Sequence, residues 1–259
     1  MITNLTWHEV DWSIVGPALI AGLLVLATHV PLGLQVLKKG IIFIDLAIAQ
    51  IAGLGVITAD ALGWEPQGWA VQGAALLAAL AGAALLTWTE KRWPDIQEAL
   101  IGTLFVLASC LGILMLAGNP HGGEHLKDLL VGQILWVTTG QLWSMAALSA
   151  VVLALWFGLQ ARLGRAGFYV LFALAVTASV QMVGVYLVFT SLIMPALAVR
   201  HAPPSWQLPL AWATGALAYG LGLSLSAVLD LPSGAVVVVM MALVCMLAAS
   251  LIPQPKQTN

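Results

Sequence analysis

From near residue 14 to near residue 252 the chain is an almost unbroken series of apolar segments, each close to the roughly 20 residues that an α-helix needs to cross a bilayer. Only 8% of its 259 residues are charged and 61% are hydrophobic, against about 25% charged in an ordinary soluble domain. That leaves too little polar surface to cover a globule in water, so the solvent of this chain is lipid. Spanning β-barrels show alternating segments of about ten residues, whereas these are continuous blocks rich in Leu and Ala. The expected fold class is all-α: a polytopic transmembrane helical bundle of about eight or nine spans.

Breaks at Gly, Pro and charge clusters predict spans at about 14–36, 41–61, 69–89, 98–117, 141–159, 167–182, 184–200, 207–229 and 233–252. Two short segments meet near Gly184, which suits either a tight hairpin or one broken helix and leaves the count open. A single transmembrane domain then occupies 14–252, with a short N-terminus over 1–13 and a tail over 253–259. "MITNLTWHEVDWS" has acidic residues and no basic start, so the first span is expected to stay rather than be cleaved. Lys38, Lys39, Lys91, Arg92, Arg162, Arg165, Arg200 and Lys256 fall in loops that nine crossings put on one face, and the opposite face holds only Lys127. Because Lys and Arg are retained on the cytoplasmic side, the N-terminus is expected outside and the tail inside. Tryptophans such as Trp12, Trp64, Trp69, Trp88, Trp136 and Trp206 mark the span ends as interfacial anchors. A net charge of −2 gives no reason to expect nucleic acid as a partner.

Asp45 stands in the first turns of an otherwise apolar span, "GIIFIDLAIAQIAGLG". An ionised carboxylate at a helix centre costs at least about 2.5 to 3.5 kcal/mol on insertion scales. Asp45 therefore either pairs with Lys38 or Lys39, caps a helix near the interface, or faces a solute path. "NPHGGEHLKD" is the densest set of ligand-type residues, with His121, Glu124, His125 and Asp128. Imidazole with carboxylate suits zinc; a turn at Gly122 and Gly123 followed by an acidic helix start is the alternative. A short helix is expected over 125–137, lying at the outer interface or re-entering. "HGGEH" also spells H-x-x-E-H, but Pro120, Gly122 and Gly123 oppose the continuous helix that a metallopeptidase site requires. Gln97 and Glu98 begin the fourth span as caps or interface groups, and Gln181 is an interhelical hydrogen-bonder or part of a cavity wall. No G-x-x-x-x-G-K-[ST] occurs, so ATP hydrolysis by a P-loop is not expected of this chain.

"LKKGIIFIDLAIAQIAGLG" resembles the basic pair, Gly and "DALAH" segment of the metal-ion (zinc and manganese type) permease family of ABC importers. "EALIGTLFVLASCLGILML", "LLVGQILWVT" and "VQMVGVYLVFTSLIMPALAVR" resemble three further segments of that family in order and spacing, with Gly184, Pro195 and Ala196 in register. The resemblance implies a membrane-spanning permease subunit of a divalent metal importer in a bacterial cytoplasmic (inner) membrane. It further implies an ABC ATPase subunit, an extracytoplasmic metal-binding protein and a second permease copy as partners. Zn2+ leads as transported substrate, with Mn2+ or Fe2+ behind it, and no permanently bound cofactor is expected.

Two departures bear on mechanism. The family places His four residues after the Asp, but that position is Ala49 here, and the next residue, Gln50, points about 140° away from Asp45 on a helix. Asp45 carries over as a metal-path residue; His29 in "LATHVPLG" is a candidate substitute ligand, with Gln50 and Gln181 kept as path residues. The family's cytoplasmic coupling segment is replaced by "ARLGRAG", leaving "EKRWPDIQE" and "RHAPPSW" as inner contact surfaces. Competing expectations are a non-transporting membrane scaffold, supported by that missing segment, and a secondary transporter using Asp45 as a proton site.

Overall fold

The computed structural model describes residues 12–64, 68–116 and 130–252. Its described residues are helices joined by short turns. They are α1 (Trp12–Lys39), α2 (Ile44–Ala61), α3 (Trp69–Arg92), a 3-10 turn (Pro94–Ile96), α4 (Gln97–Leu116), a 3-10 turn (Ile134–Trp136) and α5 (Thr139–Val183). Then follow α6 (Val185–Ala198), α7 (Pro204–Leu229) and α8 (Ser233–Leu251). Residue Gly164 interrupts α5 with φ 57° and ψ −162°, which divides it into Thr139–Leu159 and Gly164–Val183. Eight described segments are long and apolar enough to cross a membrane; α6, with 14 residues, is shorter. Helices are the solution because in hydrocarbon each backbone N–H and C=O must find its partner within the chain.

Small residues decide which helices meet. Gly55 lies against the backbone of Ala74 and Ala75 while Gly82 meets Ile48 and Ile51, so α2 and α3 run antiparallel. Gly112 of α4 meets Leu54 and Ile57 of α2, and Glu98 reaches Phe43, so α2 and α4 run parallel. Gly215 packs on Leu26 and Tyr219 on Gly22, making α7 antiparallel to α1, and the Trp212 indole N–H donates to the Leu26 carbonyl at 3.1 Å. Close approach through Gly and Ala is how helices associate where lipid removes the hydrophobic incentive.

The hairpin reading at Gly184 holds. Gly184 (φ 81°) abuts Gly132, and Gly234 at the start of α8 abuts the Val131 carbonyl, so α6 and α8 begin at the same end of the bundle. Gly33, near the far end of α1, takes the Leu192 carbonyl against its Cα, so α6 returns toward the other end. Of the helix expected over 125–137, the described residues Leu130 and Val131 are helical and 132–137 are not. Gly132 has φ 71° and only a 3-10 turn follows. A continued helix there would deny the backbone contact with Val183 and Gly184. The next helix is closed by a capping box missed in the sequence: Gln141 N–H donates to Thr138 Oγ1 at 3.3 Å, and Thr138 N–H to Gln141 Oε1 at 2.9 Å.

These pairings gather Lys38, Lys39, Lys91, Arg92, Arg162, Arg165 and Arg200, all the described Lys and Arg, at one end of the bundle. There Lys39 Nζ pairs with Glu90 Oε1 at 3.1 Å and sits 5.3 Å from the Phe168 ring centre, while Arg165 Nε stands 3.9 Å from the same oxygen. The Lys39 and Glu90 side chains are only 22% and 16% exposed, but Arg165 is 56% exposed. Glu90→Ala is expected to cost about 1–3 kcal/mol, since it strands a half-buried ammonium, whereas Arg165→Ala costs about 0–1 kcal/mol. Thermal unfolding of both variants in detergent checks that order.

Candidate functional site

Asp45 occupies the first turn of α2, just past the turn in which Ile44 N–H bonds the Ile41 carbonyl. It is 1% exposed, and among the described residues neither carboxylate oxygen has a hydrogen-bond partner. The lysine pairing considered from sequence does not occur with Lys39, which is engaged by Glu90 of α3. The side chain is inside the protein rather than turned to lipid, at a helix N-terminus whose dipole favours negative charge. That dipole offsets only about 0.3–2 kcal/mol, less than the desolvation cost of several kcal/mol for a buried carboxylate. A cation, water or a proton must supply the rest.

Glu98, in the first turn of α4 and expected as a cap or interface group, reaches across to the start of α2. Its Oε1 accepts from the Phe43 N–H at 3.3 Å, at the residue that caps α2, and its Oε2 is buried without a partner. Phe43, which Glu98 holds, stands two positions before Asp45. No motif links two residues 53 positions apart; only the parallel packing of α2 and α4 joins them. Beside it Gln97 donates from Nε2 to the Leu86 carbonyl at 3.1 Å and to the Tyr169 hydroxyl at 3.2 Å, tying α4 to α3 and α5.

His29 is fully buried in α1. Its Nδ1 lies 2.9 Å from the Val25 carbonyl and 3.0 Å from Thr28 Oγ1, and its Nε2 has no partner. Nδ1–H donation to Val25 fixes the tautomer that leaves an Nε2 lone pair. However, His29 lies ten residues before the end of α1 at Lys39, while Asp45 is in the first turn of α2, which starts at that same end, so the two stand at different depths of the bundle. Among the described residues no three His, Cys, Asp or Glu side chains form a metal-holding group. Gln50 and Gln181 are half-buried, in α2 and α5. His121, Glu124, His125 and Asp128 lie outside the described residues. One interior polar pair escaped the sequence: Ser191 Oγ lies 2.9 Å from the Tyr219 hydroxyl and donates to the Leu187 carbonyl at 2.6 Å, between α6 and α7.

The sequence profile of the ABC 3 transport family matches residues 11–163 and 154–252. The manganese transport system membrane protein MntC of Halalkalibacterium halodurans is 24% identical over 263 residues, covering 92% of this chain and 88% of that protein. An uncharacterized membrane protein of Synechocystis sp., slr2045, is 25% identical over 244 residues, covering 85% and 84% respectively. The solved structure of PsaBC from Streptococcus pneumoniae in complex with Fab superposes with TM-score 0.77 at 21% identity, over 99% of this chain and 98% of that one.

Proposed function

This chain belongs to the ABC 3 transport family, the permeases of metal-type ABC transporters, whose members work with ATPase and substrate-binding partners, and on that premise we propose that it forms the path of a divalent transition-metal importer. The observation that carries the reading is Asp45: buried, unpaired and inside the bundle. A passing cation compensates the carboxylate, and opposite charges attract strongly where the surroundings exclude water.

In this reading the basic end of the bundle is cytoplasmic, residues 1–13 are outside, 14–252 form the permease domain and 253–259 the inner tail, in a bacterial inner membrane. An outer binding protein delivers the ion, two permease copies enclose its path, and ATP-driven closure of separate ATPase chains switches the open side. The ATPase docks at the exposed Pro94–Ile96 turn and the 200–206 segment of the same basic end, in place of the missing coupling segment. His121, Glu124 and His125 relay the ion at the outer face, and Gln50 and Gln181 line the path. Zinc is favoured by those imidazoles; manganese is favoured by the oxygen donors at Asp45 and by the name of the Halalkalibacterium relative.

The test is uptake of labelled Zn2+ and Mn2+ by cells that lack or carry the complete transporter. Restored uptake of either ion is expected, with Zn2+ uptake at low concentration reduced about tenfold by His121→Ala with His125→Ala, as for loss of groups that assist a metal site. No uptake above the deficient cells refutes the importer reading; unchanged uptake by the double variant removes only the relay.

A further inference from the structure

We infer that Glu98 is the second carboxylate of the cation site at Asp45, so that two helices hold the ion through oxygen alone and prefer Mn2+ to Zn2+. This rests on the importer reading of Asp45 and adds to it a residue and a ligand chemistry.

Among the described residues three buried oxygens of these two side chains have no partner: Asp45 Oδ1, Asp45 Oδ2 and Glu98 Oε2. The fourth, Glu98 Oε1, takes the Phe43 N–H, which ties Glu98 to the residue capping α2, two positions before Asp45. Asp45 is 1% exposed, so its oxygens cannot all be satisfied by bulk water. Two carboxylates held at the start of the same helix repel, and the half-buried ammonium of the adjoining turn, Lys39, is taken by Glu90. A divalent cation between them removes the repulsion and fills the empty acceptor positions at once.

Ligand type sets the preference. Carboxylate and water oxygens suit Mn2+, whereas Zn2+ gains more from imidazole or thiolate. The residue one turn after Asp45 is Ala49, so α2 brings no imidazole to this place. The buried imidazole of His29 belongs to α1, with its Nδ1 spent on Val25.

Uptake of Mn2+ and Zn2+ by the complete transporter in membrane vesicles, with variant levels matched, tests the assignment. Glu98→Gln keeps an oxygen for the Phe43 N–H and loses only the charge. It is expected to raise the half-saturating Mn2+ concentration about 10-fold or more, and to raise that for Zn2+ less. If Glu98 merely caps α2, both ions behave as in the wild type; that outcome, with Asp45→Asn inactive, overturns the inference and leaves the importer reading standing. Wild-type uptake by Asp45→Asn removes Asp45 from the path and overturns the site with it, whereas the importer reading itself falls only if the complete wild-type transporter takes up neither ion. Ala49→His leaves Glu98 and its cap in place and so decides the selectivity claim even where Glu98→Gln fails to accumulate. A shift of about tenfold toward Zn2+ is expected, and an unchanged ratio overturns the oxygen-only preference.

Discussion

Asp45→Asn is expected to abolish metal uptake while leaving the protein at least as stable as the wild type. The asparagine side chain has nearly the same size and fits the same first turn of α2, so packing is unchanged. What disappears is a buried charge that, among the described residues, no lysine or hydrogen-bond donor satisfies. Removing an unpaired buried charge is neutral or stabilising, and an apparent melting temperature in detergent equal to or above wild type checks that half. Loss of the anionic ligand should lower uptake about 100-fold, at the upper end of what metal-site substitutions cost. The two measurements together separate function from folding. Wild-type uptake would mean that the ion does not pass Asp45; a collapsed melting temperature would mean that the carboxylate serves the fold.

The second large effect is structural. Gly132 and Gly184 place two backbone segments in direct contact, with a Cβ on either overlapping the other's main chain, and both have positive φ. Gly184, at φ 81° and ψ 162°, sits in a region that is essentially restricted to glycine. Gly184→Ala combines backbone strain of about 1–3 kcal/mol with an overpacking cost of about 1–3 kcal/mol. The sum is a large share of a typical stability of about 5–15 kcal/mol. Heat-induced loss of monodisperse protein should therefore begin well below the wild-type temperature. Gly73→Ala and Gly102→Ala serve as controls, because a Cβ at either meets open space; replacing a helical glycine by alanine is expected to be neutral or stabilising by about 1 kcal/mol. Equal melting of all three variants would show that the crossing does not constrain the fold.

The membrane-spanning segments were legible because length and apolarity alone mark them, and the described helices follow the expected spans closely. Family resemblance was legible in the ordered segments around Asp45, Gly184 and Pro195, which the profile match bears out. The candidate site was legible only in part. Asp45 stood out because a lone acid among apolar residues is costly wherever the chain puts it. Glu98 did not, since an acidic residue at a helix start needs no explanation beyond capping until its neighbour is known. The helix expected over 125–137 goes no further than Val131 for the same kind of reason: the Gly132 conformation answers to a backbone 52 positions away.

From sequence alone came the solvent, the helical class, the approximate spans and the presence of one acid needing a counter-charge. Those follow from transfer energies and local hydrogen bonding, which each segment carries by itself. Only the tertiary structure decided that Lys39 goes to Glu90 rather than Asp45, that Gly184 turns the chain back against Gly132, and that Glu98 stands by the start of α2. These depend on which helix faces close on one another, and among apolar helices in lipid that choice is made by the fit of small residues, which no single segment encodes.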